Sequence, residues 1–248
     1  MRTMQAADAR RQLYYEILSG ASGLALAVFM WGHMVLVGSI LTGRRGFDWM
    51  ATMLEEYYIA QPTVIVILLL FVVHAALASR KIPSQLAERK RMLALGKDLA
   101  GGGRDSAGVR GLALPPHVES LLWIWQVRTG MLILVLGSFH IILLGVDVLT
   151  PLFGERHGIE AASSVARVRG GLWVVYAVLL LAVEFHASVG LYRLAVKWGS
   201  GKLFSRPVLR TIERILLWFF LGLGVVVLLV LAEVLDPPLA FLLPGAVS

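Results

Sequence analysis

Four imidazoles lie where water does not reach. His33, His74, His140 and His186 each fall inside a long apolar run, one in each of the first four such runs. Glu184 sits two residues before His186, and no other acidic, basic or histidine residue lies between positions 171 and 193. Ionisable groups at membrane depth are expensive and by default functional. Imidazoles there suit three kinds of chemistry: metal or haem ligation, a proton relay, or plain hydrogen bonds between helices. His117 and His157 lie in polar connections and read as solvated residues.

The elements that position these groups follow from composition. The chain has 248 residues, 58% of them hydrophobic, and its mean hydropathy is +0.76. That is too apolar for an ordinary soluble domain, and a span needs about 20 apolar residues. Five runs qualify, at roughly 13–41, 59–79, 118–149, 170–198 and 208–235. The reading is an all-α integral membrane bundle of five transmembrane helices, forming one domain over residues 1–248. The stretches 42–61, 84–117 and 153–170 read as connections, with the helix after Pro83 possible as an extension of the second run. A net charge of +7 is also that of many nucleic-acid binders, but the basic residues here bracket apolar runs, which is membrane topology and not a nucleic-acid surface. Cysteine is absent, which excludes disulfides, iron–sulfur ligands and covalent haem attachment through CxxCH in this chain. The N-terminal run is long and lacks a clear small-residue cleavage site, unlike a signal peptide.

Five spans put the two termini on opposite sides. Of the 23 Lys and Arg residues, 17 fall in the N-terminal arm and the stretches 80–110 and 193–214, against five in the stretches 44–45 and 156–169. Arg128 remains inside span three, where snorkelling is favoured over pairing with a bound anion. The positive-inside rule then places the N-terminus in the cytoplasm. Span direction converts sequence into depth. His33 lies roughly 27 Å along from Tyr15, and His140 roughly 25 Å along from Trp123. His74 precedes Arg80 by only about 9 Å, and His186 precedes Lys197 by about 16 Å. His33 therefore pairs in depth with His140 in the outer half, and His74 with His186 in the inner half. The two levels differ by on the order of 10–18 Å, too far apart for one tetrahedral zinc. Two imidazole pairs on facing helices suit two haem irons with both axial positions filled, and hence electron transfer. The alternative is four separate polar contacts between helices.

The motifs MWGHM (30–34), HAALASRKIP (74–83), TGMLILVLGSFH (129–140) and VEFHASVGLYRLAVKWG (183–199) carry a family resemblance. They resemble the two-haem cytochrome b subunit of quinol:fumarate reductases and related succinate:quinone oxidoreductases. The resemblance is closest to the type of sulfate-reducing and epsilon-type bacteria. It spans all five runs and fails in the N-terminal arm, the loop before span two, the Gly-rich loop and the C-terminal tail. It implies two haem b groups, one held by His33 with His140 and one by His74 with His186. It implies polar contacts to haem from Ser19, Trp123, Arg167 and Lys197. It further implies menaquinol oxidation at the outer side, with Glu55 or Glu56 accepting protons, and transmembrane proton transfer by Glu184. The implied partners are an iron–sulfur subunit on the cytoplasmic face and a flavoprotein beyond it. The implied setting is the cytoplasmic membrane of a bacterium, and the implied assembly leaves room for a dimer of such heterotrimers. Rival readings are the same complex run as succinate:quinone reductase, a haem-less structural anchor, and a proton-coupled transporter. The last requires broken helices or a polar pathway, whereas the runs read as largely continuous.

Overall fold

The structure is a computed structural model, and it describes residues 2–101, 118–149, 159–199 and 204–243. Positions 117 and 157, with their histidines, lie outside the described residues. Regular structure among the described residues is helical. Five helical stretches are long and apolar enough to cross a membrane: Ala9–Thr42, Pro62–Met92, Val118–Asp147, Ala161–Lys197 and Arg206–Leu231. The expected all-α five-span architecture is therefore the observed one.

Helix α1 covers Arg2–Gly38 and tightens into a 3₁₀ turn, Ser39–Thr42. Helix α3 covers Ala60–Ser79, and α4 follows at once over Ile82–Gly101. Pro83 is tolerated because it sits in the first turn of α4, where backbone N–H groups have no helical partner. Helix α5 covers Val118–Leu149, α7 Trp173–Lys197 and α8 Arg206–Leu231.

Besides α4, which takes up the described part of the stretch 84–117, two other expected connections are folded. The stretch between spans one and two forms helix α2, Arg44–Glu56, which buries Gly46, Phe47 and Ala51. Its charges read as a loop because they cover the opposite, solvated face of an amphipathic helix. The stretch before span four forms α6, Ala161–Arg167, and a wide turn, Val168–Leu172, joins it to α7. Gly171 there has φ +105°, a left-handed conformation open to glycine at little cost. Span four is thus longer than expected and broken near one end, not continuous.

Polar contacts place the span ends. At one end, the Glu16 carboxylate of α1 pairs with both Lys81, after α3, and Lys197, at the close of α7. We call this the basic end. At the opposite end, Glu233 pairs with Arg44 of α2 and with Arg169 in the wide turn. The Ala161 N–H donates to Asp48 of α2 at 2.8 Å, and the Leu239 N–H to the Leu41 carbonyl at 2.8 Å. The tight apolar core also lies at this opposite end, where Ile40, Leu41, Phe47, Ala161, Val165 and Leu231 pack together.

Between the ends, α1 packs on α3, α5 on α7, and α7 on α8. The apolar windows of spans two and three have no buried residues of their own, as suits helices whose outer surfaces meet lipid.

Candidate functional site: two histidine pairs in one cavity

A cavity of about 1580 Å³ separates the α1/α3 pair from the α5/α7 pair, and all four intramembrane histidines line it. A site for one drug-sized ligand is roughly 300–1,000 Å³, so this space accommodates more than one such group. Its walls are mostly Gly, Ala, Leu, Val, Ile and Phe.

The histidines meet two by two. His74 of α3 faces His186 of α7 with ring centroids 6.3 Å apart and planes at 87°. His33 of α1 faces His140 of α5 at 6.5 Å and 60°. Metal–imidazole bonds of about 2 Å on both sides of one iron separate ring centroids by roughly 6 Å. Both pairs therefore fit a haem iron held from two faces. No group of three or more candidate ligands forms among the described residues.

The basic-end pair is oriented by backbone. His74 Nδ1 lies 3.1 Å from the Ser19 carbonyl, with the Ser22 hydroxyl 3.3 Å away. His186 Nδ1 lies 3.0 Å from the Gln126 carbonyl. Each Nδ1–H donates to its carbonyl, which leaves the Nε2 lone pair free for a metal and makes the ring a better donor. A glycine stands against each ring. A Cβ at Gly23 would lie 2.8 Å from His74 Cε1, and one at Gly130 would lie 2.9 Å from His186 Cε1. At the other level, His33 stacks on Phe29 at 5.7 Å, and His140 meets the edge of Tyr176 at 5.5 Å. His140 Nδ1 is buried without a hydrogen-bond partner among the described residues.

The pattern of the succinate dehydrogenase/fumarate reductase transmembrane subunits matches residues 111–232. A fumarate reductase cytochrome b subunit of Helicobacter pylori is 34% identical over 217 residues, covering 84% of this chain and 76% of the relative. The chain belongs to this family. A fumarate reductase cytochrome b subunit of Wolinella succinogenes is 35% identical over 187 residues, 72% of this chain and 64% of that protein.

The remaining residues singled out for the family's site fall at three places. At the basic end, Ser19, Trp123 and Lys197 line the cavity. Ser19 offers its carbonyl to His74. The Trp123 indole N–H donates to Gln85 at 3.1 Å, and Lys197 shares Glu16 with Lys81. At the opposite end, Arg167 lines the cavity but is buried in an ion pair with Asp147, and it also donates to the Ser164 hydroxyl at 2.9 Å. Mid-span, Glu184 reaches the cavity wall and is buried, with both carboxylate oxygens unpartnered among the described residues. The structure does not bring Glu55 or Glu56 to this cavity. Both are exposed at the close of α2 and line none of its wall. Arg128 is exposed too, its guanidinium 5.2 Å from the Trp125 ring centre and away from the cavity.

Sequence reasoning missed Glu16, Lys81, Gln126 and Asp147 as neighbours of the site. Lys81 lies inside the HAALASRKIP motif, so a signal existed for it. Gln126 acts through its carbonyl, which no residue type announces.

Proposed function

We infer that this chain is the membrane electron-transfer subunit of a quinol:fumarate reductase-type complex, built around two haem b groups. The observation that carries this reading is the ring geometry: two imidazole pairs, each at the separation one iron needs, facing across one apolar cavity. The relatives' names supply the rest, since each is a cytochrome b subunit of fumarate reductase. Haem b, held by His33 with His140 and by His74 with His186, would supply one-electron transfer.

This chain's residues orient, space and charge-balance that chemistry. The Ser19 and Gln126 carbonyls hold His74 and His186 in one tautomer. Gly23 and Gly130 leave room beside those rings. Lys197 and Lys81 offer hydrogen-bond donors at the basic rim, where Trp123 is held by Gln85, and Arg167 does so at the opposite level; such donors would partner the carboxylates of a bound macrocycle. Menaquinol is oxidised toward the opposite end, where Glu55 and Glu56 stand exposed and able to pass protons to water. Glu184, alone mid-span and lining the cavity, carries protons between levels. The iron–sulfur subunit docks on the basic end, with the flavoprotein beyond it, and the N-terminus faces the bacterial cytoplasm.

The transporter reading gains one observation, the break at Gly171. That break lies close to the end of the span, however, and the cavity it borders is mostly apolar and not a polar pathway. The deciding experiment is an optical spectrum of the purified protein with haem counted per chain and menaquinol as reductant. Two low-spin b-type haems per chain, reduced by menaquinol, are expected. A folded protein with no haem would overturn the reading in favour of a structural anchor.

A further inference from the structure

We propose that Arg193 raises the reduction potential of the haem held by His74 and His186, and that Gln126 is the positioning residue that keeps its guanidinium at the cavity wall. This deepens the two-haem reading above and rests on it.

Gln126 of α5 is gripped by α7 at two points. Its backbone carbonyl lies 3.0 Å from His186 Nδ1, and its side-chain oxygen accepts from Arg193 Nη1 at 2.8 Å. His186 and Arg193 are seven positions apart, two turns of one helix. They share a face, with about 10 Å of rise between them. Gly190 stands between them, and a Cβ there would lie 3.1 Å from Gln126 Nε2. The missing side chain leaves the slot in which the amide rests. Gln126, Gly190 and Arg193 all line the cavity.

A guanidinium stays charged at any working pH, so what surrounds it decides how much of that charge the cavity feels. The other cations of the basic-end wall are placed differently. Lys81 and Lys197 share the Glu16 carboxylate, and Arg80 is exposed with its guanidinium 4.5 Å from the Tyr15 ring centre. Glu119 attracts Arg193, but it accepts from the Tyr192 hydroxyl at 2.6 Å and stands 4.0 Å from Arg210. Arg193 donates to a neutral amide, which holds the cation without cancelling it. At the opposite level Arg167 is matched by the buried Asp147 carboxylate.

A fixed cation beside an iron favours the form that has gained an electron. Apolar surroundings screen that attraction far less than water does, and the groups and burial around a haem are levers on its potential. The His33/His140 level lies on the order of 10–18 Å further along the bundle, so the bias falls mainly on the His74/His186 level. Without the Gln126 amide, the guanidinium is free to turn to Glu119, and the bias shrinks.

The test is a redox titration of the full complex in detergent, followed optically, with haem counted per chain in Arg193→Gln, Arg193→Lys and Gln126→Leu. The His74→Ala spectrum tells the two haems apart. We expect two haems per chain in all three variants. In Arg193→Gln the midpoint of the His74/His186 haem should shift downward, several times further than that of the other haem. Arg193→Lys should stay near the parent value, and Gln126→Leu should shift in the same direction as Arg193→Gln by a smaller amount. Parent-like midpoints in Arg193→Gln, equal shifts at both haems, loss of haem from that variant, or an equal shift in Arg193→Lys would each overturn the role of Arg193. Gln126→Leu with parent-like midpoints or without its haem overturns the positioning role of Gln126. A parent complex lacking two haems removes the two-haem reading itself, and this proposal with it.

Discussion

At the basic end, two imidazoles are aimed by backbone carbonyls and each is backed by a glycine, while at the opposite level the rings of Phe29 and Tyr176 flank the other two. The ion pairs contrast in the other sense. Arg167 and Asp147 are 4% and 0% exposed, whereas Lys81 and Lys197 are 38% and 50% exposed and share one Glu16. Histidine orientation is thus tied to the chain near the basic end and left to packing near the other. Charge is locked near the opposite end and exchangeable at the basic one. A hydrogen bond to a carbonyl fixes tautomer and ring angle together, and a ring contact constrains the angle alone.

Replacement of single ligands tests the pairing itself and carries the largest effect. His33→Ala and His140→Ala should each abolish the same haem signature and spare the other, and His74→Ala and His186→Ala should do the converse. Spectra in which His33→Ala and His140→Ala remove different haems would break the two-level scheme. Next in size is Arg167→Ala, which strands the buried Asp147 carboxylate. Removing one partner of a buried pair costs about 3–5 kcal/mol, so thermal unfolding in detergent should show a marked loss of stability, and an unchanged melting temperature would argue against a locked pair. Gly23→Ala and Gly130→Ala come third. Each forces a methyl against an imidazole, an overpacking cost of about 1–3 kcal/mol, and the spectral change should be confined to the His74/His186 haem. A change at the other haem instead would mean that the glycines do not set that site. The smallest effect belongs to Lys197→Ala. Lys81 remains on Glu16, and half-exposed pairs contribute below about 1 kcal/mol, so the melting temperature should hardly move. A loss as large as that of Arg167→Ala would erase the contrast between the two ends.

Span number and the level of each histidine were legible in the residues themselves. Helix rise is constant, and hydropathy marks where each span begins, so position along a span is position across the bundle. Depth alone pairs His33 with His140 and His74 with His186, and the folded chain sets those same rings face to face. A small residue such as Gly23 inside a span permits a close approach, but nothing in the sequence says that His74 makes it.

Rotation about each helix axis was not legible. Spans apolar on every side carry no stripe to say which face turns inward, so packing alone decided that Ser188 and Tyr192 leave the cavity while Arg193 stays on its wall. Packing also decided that Asp147, inside the third run, and Arg167, 20 positions further on in a stretch read as a connection, close into one buried pair. The charged residues of α2 and the wide turn at Gly171 gave hydropathy nothing to follow, because a helix lying along the end of the bundle and a break inside a span both depend on what they pack against. Depth follows from local geometry that every residue shares, and azimuth follows from neighbours that only the folded chain supplies.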